Sequence, residues 1–257
     1  MTSRAIITGA SSGIGAALAR ELAKRGWDLA LLARRAALLD TLCSELRARG
    51  TNAVAIACDV LDANAVRDAV QRAERELGGA FDLAVANAGV SIPTHATKFN
   101  LADAEQTIRV NLLGAMYLYD AVIASMIARR GGRFAGVASI AGLRGLPTAA
   151  PYSASKAALQ TFLEAARIEL KPYGVGVTIV NPGFIATPMT EKNRFRMPFL
   201  MQADDAATVI ADGLERGARL SEFPRPMSLL MRFMRIVPDA IYERMLVPYA
   251  RRKNEVK

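Results

Sequence analysis

Tyr152 and Lys156 stand four positions apart in Tyr152-Ser153-Ala154-Ser155-Lys156, a spacing that puts both on one face of a helix. An ammonium beside a phenol stabilises the phenolate and lowers its pKa, which suits proton exchange near neutral pH. The pair alone is weak, because surface helices often carry it. Ser139 strengthens it: this residue follows an apolar run at 133–138, at the strand end where open α/β sheets bind ligands, and its hydroxyl can hydrogen-bond a substrate oxygen. Asn111 lies inside a long helical stretch, where Asn is a mediocre choice, and Asn87-Ala88-Gly89 ends another apolar run.

A second group of residues suits anion binding. Thr8-Gly9-Ala10-Ser11-Ser12-Gly13-Ile14-Gly15 follows a first apolar run and opens a helix. Glycines let the backbone turn tightly against a pyrophosphate, and the free N–H groups and dipole of the helix favour its charge. No Gly-Lys-Ser/Thr follows, so the turn is not a mononucleotide P-loop. The second strand ends in Ala33-Arg34-Arg35, where binders of NAD usually place an acid. Arginine in that place can pair with a 2′-phosphate, so NADP(H) is expected over NAD(H), unless Arg34 and Arg35 are only a solvated helix start.

The elements that must hold these groups alternate. Strands are expected at 4–8, 28–33, 53–57, 83–86, 133–138 and 176–180. Helices are expected at 14–25, 37–49, 63–77, 102–129 and 153–170, several stopped by glycine, with one more at 203–218. Strands apolar on both faces and separated by helices imply a parallel sheet covered on both sides. Right-handed crossovers then give a Rossmann-type doubly wound α/β fold of about seven strands. One domain is expected over 1–224, with a substrate lid about 188–203 and a basic amphipathic helical extension at 225–257.

Composition excludes other chemistries. The chain has 257 residues, 52% of them apolar, one histidine and two cysteines. With His95 alone no two-histidine zinc site can form, and Cys43 and Cys58 lack metal-ligand spacing, so no metal is expected. His95 reads as a loop residue, and the cysteines as reduced thiols in a cytoplasmic protein. The N-terminus shows no signal peptide. The apolar stretch 112–128, interrupted by Asp120, falls short of the roughly 20 residues a bilayer span needs.

In combination these motifs resemble the short-chain dehydrogenase/reductase family over about residues 4–222. They are Thr8-Gly9-x-x-x-Gly13-x-Gly15, Asp59-Val60, Asn87-Ala88-Gly89, Asn111, Ser139, Tyr152-x-x-x-Lys156, and Pro182-Gly183 followed by Ile185 and Thr187. The resemblance implies hydride transfer between a nicotinamide and a carbonyl or secondary alcohol. Tyr152 would be the general acid/base. Lys156 would bind the nicotinamide ribose and lower the Tyr152 pKa, Ser139 would polarise the carbonyl, and Asn111 would hold a relay water. Asp59 and Val60 would flank the adenine, Asn87–Gly89 would line the cofactor cleft, and Pro182–Thr187 would embrace the nicotinamide end. The motifs together make a non-catalytic NADP sensor or scaffold the lesser reading.

The substrate surface is mostly apolar. Leu143, Leu146 and Pro147 precede Tyr152, and Pro188, Met189, Phe195, Met197, Pro198, Phe199, Leu200 and Met201 follow Pro182-Gly183. A lipophilic ketone or aldehyde is expected, with a long-chain 3-keto lipid as a narrower alternative; Lys192, Arg194 and Arg196 could instead meet an anion. Residues 225–257 carry eight Lys/Arg against three Asp/Glu, which is most of the chain's formal +9. Met227, Leu230, Met231, Met234, Val237, Ile241 and Met245 form an apolar stripe broken at Pro238. That stripe can pack on the body or on a second subunit of a homodimer or homotetramer, cover the substrate pocket, or lie on an anionic membrane surface. Nucleic acid is not expected as a partner, because the charge forms no aromatic-interleaved patch.

Overall fold

A computed structural model describes the backbone of residues 2–191, 193 and 196–255, and all their side chains but those of 249 and 251–255. Seven strands form one parallel sheet in the order β3-β2-β1-β4-β5-β6-β7. They are β1 (Arg4–Thr8), β2 (Asp28–Ala33), β3 (Ala53–Ala57), β4 (Leu83–Ala86), β5 (Arg133–Val137), β6 (Gly176–Pro182) and β7 (Leu220–Phe223). In register, Ile6 pairs with Ala30 on one side and Ala84 on the other.

Side chains alternate across a strand, so neighbouring residues serve opposite layers. Ile6 packs with Leu118, Phe134 and Leu163 on one face. Ile7 packs with Leu18, Leu39 and Ile210 on the other. Burying each such side chain contributes about 1.5–3 kcal/mol. The first layer holds α3 (Ala63–Leu77), α5 (Gly114–Ala128) and α6 (Ala150–Leu170). The second holds α1 (Gly13–Lys24), α2 (Ala36–Ala48) and α7 (Ala203–Glu215). Local signals set the ends. The Asp62 carboxylate caps α3 by accepting the Asn64 and Ala65 N–H groups, and Gly78 closes it at φ 73°.

Several boundaries differ from the sequence expectation. α6 begins at Ala150, because Pro151 suits a first helical turn. α7 stops at Glu215, and the last strand starts at Leu220. β6 runs on through Pro182, its register with β7 holding to Phe223. The long helix is not one regular helix. α4 (Leu101–Ile108) passes through a π turn at Arg109–Leu113 into α5. The rod is therefore longer than the expected apolar stretch. Leu101–Ala128 is long and apolar enough by length and composition to cross a membrane. Its inward face packs on the sheet, with Leu118, Val122 and Met126 fully buried. Two further helices close the chain, α8 (Arg225–Ile236) and α9 (Asp239–Glu255).

Candidate active site

The carboxyl ends of β1, β4, β5 and β6 meet along one edge of the sheet, and the expected residues gather there. Gly9 and Gly13 adopt φ of 67° and 58°, which L side chains rarely accept. A Cβ on Gly9 would stand 2.7 Å from the Ala88 Cα, so glycine is what lets the turn lie against the end of β4. The clasp is polar. Asn87 Nδ2 donates to the Thr8 carbonyl at 2.9 Å, and Thr8 Oγ1 accepts the N–H groups of Asn87 and Ala88. Ser12 precedes α1 without capping it through its side chain, which leaves the helix N-terminus available for an anion. Gly15 does not line the cleft. A Cβ there would sit 2.5 Å from Asn87 Nδ2 and the Gly9 carbonyl, so its role is close packing.

The cleft of about 280 Å³ beside this turn is lined by Gly9, Ser11–Ile14, Arg34, Arg35, Cys58–Val60, Asn87–Val90, Ser139, Tyr152, Lys156, Pro182, Gly183, Ile185 and Thr187–Thr190. The Arg35 guanidinium donates to Ser11 Oγ at 2.9 Å and to Ser12 Oγ at 2.6 Å, which fixes it over the glycine turn. Asp59 accepts the Leu61 N–H, holding its carboxylate in the loop after β3. The glycine turn and the open helix end fit a dinucleotide, and the remaining lining residues run from Arg34 at one end to Tyr152 at the other.

Tyr152 and Lys156 share the α6 face turned toward β5. Lys156 is buried, and its Nζ donates to the Val137 carbonyl at 2.7 Å. Burial pushes its pKa down to about 8. Burial likewise pushes the Tyr152 phenol above its ordinary range, and only a hydrogen bond with Ser139 opposes this. Burial and the Ser139 contact set this direction. The Lys156 ammonium nitrogen stands 5.8 Å from the Tyr152 ring centroid. Ser139 Oγ accepts the Ala141 N–H, and the Gln160 side-chain amide donates to the Ser139 carbonyl, so the serine is fixed from both sides. Asn111 lies just behind the cleft wall, in the π turn. Its Oδ1 accepts the Val90 N–H at 2.8 Å, and its Nδ2 donates to the Val90 carbonyl and to Ser155 Oγ. The π turn had no signature in the periodicity beyond an Asn at an unexpected place; such turns frequently mark functional sites.

The short chain dehydrogenase family model matches residues 3–197. The chain belongs to this family. It is 38% identical over 239 residues to an uncharacterized oxidoreductase of Myxococcus xanthus, covering 93% of this chain and 94% of that one. It is 36% identical over 188 residues to a 3-oxoacyl-[acyl-carrier-protein] reductase of Synechocystis, covering 73% and 76% respectively. A short chain dehydrogenase/reductase from Burkholderia phymatum, solved with NAD, superposes with a TM-score of 0.83 at 23% identity, covering 90% of this chain and 92% of that one, and shows the shared fold. The protein is thus a short-chain dehydrogenase, an oxidoreductase whose fold implies a nicotinamide cofactor.

The substrate side of this short-chain dehydrogenase departs from the sequence reading. Of the apolar residues expected there, Pro188 and Met189 line the cleft, joined by Thr190. Leu143 and Leu146 do not, since they belong to the loop between Ser139 and α6 and lie half-buried beside the cleft. Phe199 and Leu200 point to solvent, and Phe195 lies outside the described residues. The segment after Ile185 is closed at its base. The Ala186 N–H donates to the Met201 carbonyl and the Met201 N–H to the Phe184 carbonyl, at 2.9 and 3.0 Å. Cys58 lines the cleft, and burial raises its thiol, like that of Cys43, to about 11, which disfavours the thiolate form. His95 is a loop residue away from the cleft lining, its carbonyl accepting the Lys98 N–H.

Among the described side chains, none of the C-terminal helices lines the cleft, and this described part of the tail forms no wall of the pocket. It is instead fastened to the loop after Ser139. The Arg144 guanidinium donates to the carbonyls of Met234, Arg235 and Val237 and to Asp239, and lies 4.0 Å from the Tyr242 ring centroid. The Tyr242 hydroxyl donates to the Gly145 carbonyl. These contacts had no local signal, because the partners lie about ninety positions apart.

Proposed function

We propose that this short-chain dehydrogenase uses NADPH to reduce the carbonyl of a lipophilic ketone or aldehyde. The observation that carries this is the meeting of Tyr152, Ser139 and Lys156 at the carboxyl edge of the sheet, in one cleft with the glycine turn. Gly9–Ile14 would hold the pyrophosphate, Asp59 and Val60 the adenine, and Lys156 the nicotinamide ribose. When bound, the nicotinamide supplies the hydride for the carbonyl carbon. Ser139 orients the carbonyl oxygen through its hydroxyl. Tyr152 delivers its phenolic proton to that oxygen as negative charge develops. Asn111 braces the Val90 backbone behind the cleft.

The preference for NADPH rests on Arg34 and Arg35 at the cleft and on the absence of an acid at the end of β2. The Burkholderia structure was solved with NAD, so the family fold leaves this choice open, and the two arginines are what supports NADP(H) here. Met189 and Pro188 support an apolar substrate. A 3-keto acyl or long-chain 3-keto lipid substrate is the second reading, favoured by the name of the Synechocystis relative. The buried free thiols fit a cytoplasmic enzyme. Exposed Phe99, Leu101 and Ile168 offer apolar surface for a homodimer or homotetramer.

The test is the rate of cofactor oxidation with NADPH and with NADH against short-chain, aryl and long-chain 3-keto substrates. NADPH should be preferred by at least about tenfold in kcat/KM, equivalent to about 1.4 kcal/mol of transition-state binding. An NADH preference would overturn the cofactor assignment, and no turnover across the panel would overturn the reductase.

A further inference from the structure

α8 is an amphipathic helix turned the unusual way round. Its inward side is narrow: Ser228 and Met231 are buried against β7 and the turn after Ser139. A helix advances about 100° per residue, so Phe233 lies nearly opposite Met231, and Leu229, Leu230 and Ile236 flank Phe233 on the same side. These four remain 67% (Leu229), 44% (Leu230), 58% (Phe233) and 77% (Ile236) exposed. The outward face of three helical turns is therefore apolar, the reverse of what a helix on a water-facing surface shows. Arg225, Arg232 and Arg235 stand exposed on the same helix, and residues 225–236 contain no acid. The helix is held rigidly in this pose by Arg144 at its carboxyl end and by Glu222, which accepts from Ser228 and Arg232 near its start.

We infer that α8 docks this enzyme on an anionic lipid bilayer. An outward Leu/Phe/Ile face bordered along one edge by Arg225 and Arg232 matches an interfacial helix, whose apolar side sinks about 5–10 Å into the headgroup region while cations meet lipid phosphates. A second copy of the chain fits less well. Pairing α8 with α8 about a two-fold axis would bring together Arg225 and Arg232 of both copies, with no acid in residues 225–236 and with Glu222 on β7 already paired to Arg232 of its own chain. Ile241 and Met245, one turn apart on α9, are exposed as well.

The experiment is flotation of the purified full chain with vesicles of phosphatidylcholine alone and of phosphatidylcholine with phosphatidylglycerol. Binding is expected to the anionic vesicles only, and to be released at about 1 M salt, where screening acts within about 3 Å. The double variant Phe233→Asp, Ile236→Asp should bind at least about tenfold more weakly, a loss of about 1.4 kcal/mol, with an unchanged Tm. No binding to anionic vesicles would overturn the inference, as would equal binding by the double variant. So would a double variant whose change is a smaller assembly in sedimentation, which would assign the face to a second copy.

Discussion

Lys156 Nζ donates to the Val137 carbonyl at 2.7 Å, and the phenol of Tyr152, one helical turn away, receives no hydrogen bond from it. The two groups share a face of α6 but not a proton. Desolvation is the larger influence on each, and it favours the uncharged lysine and the protonated tyrosine.

This burial makes a stability prediction. The Lys156 pKa falls from an ordinary 10.5 to about 8 on folding. Between those values the folded protein binds fewer protons than the unfolded chain, so stability rises with pH across that window. Below about 8 the cost of the buried charge is complete. Lys156→Met should therefore raise stability at pH 7 by about 2 kcal/mol, the relieved desolvation less the lost hydrogen bond. The gain should shrink as pH approaches 10. Thermal unfolding of both proteins across this range decides it; a variant less stable at pH 7 would contradict the account.

Tyr152→Phe removes the proton donor and little volume. Turnover should drop by about 10²–10⁴-fold, the usual contribution of a positioned acid. Cofactor affinity, measured by quenching of protein fluorescence, should hold. Near-normal turnover would remove Tyr152 from its assigned role.

Two glycines with similar backbone angles should respond differently to alanine. Gly50 has φ 87° and nothing within 4 Å of a new Cβ. Gly50→Ala should cost only the left-handed strain, about 1–2 kcal/mol. Gly9→Ala adds a clash with the Ala88 backbone and should cost about 2–4 kcal/mol. Denaturant unfolding compares them directly; equal losses would show that the turn yields at Gly9.

Arg144→Ala should loosen the junction of α8 and α9 more than the core. It leaves the carbonyls of Met234 and Val237 without their donor, a loss of about 1.5–3 kcal/mol for charged hydrogen bonds. Arg144→Lys should restore little, since one ammonium cannot span the same fork. Amide exchange should quicken in α8 and α9 while β4 and β5 stay protected. Uniform quickening would mean that the tail is part of the global folding unit.

Much of the fold was readable in the chain because its strands are short apolar runs with clear stops. β1, β2, β3 and β4 begin and end where the residues change character. The site residues were readable where a motif holds them close in sequence, as with Gly9–Gly15 and Tyr152–Lys156. What escaped was set by distance or by burial. The π turn at Arg109–Leu113 shifts the backbone ladder without altering the apolar pattern. The sign of the Tyr152 shift depends on how deeply the pair is covered, which spacing does not contain. Leu143 and Leu146 looked like pocket residues because they precede Tyr152, yet the loop carries them beside the cleft. The tail stripe was drawn through Met231 and Leu230 together, and the structure divides them between core and solvent.

The backbone pairing of Ala186 with Met201, and of Met201 with Phe184, pinches the chain between Gly183 and α7 into a closed stem. The pinch belongs to a fixed frame, because α7 in turn is locked to the end of α1 through Arg25, Asp212 and Glu215. The enzyme is built as a socket with an interchangeable insert. Residues 191–200 could be exchanged for another sequence of suitable length, whereas Thr187, whose methyl stands 3.1 Å from where a Gly13 Cβ would lie, and Thr190, whose hydroxyl donates to the Ile185 carbonyl, belong to the frame.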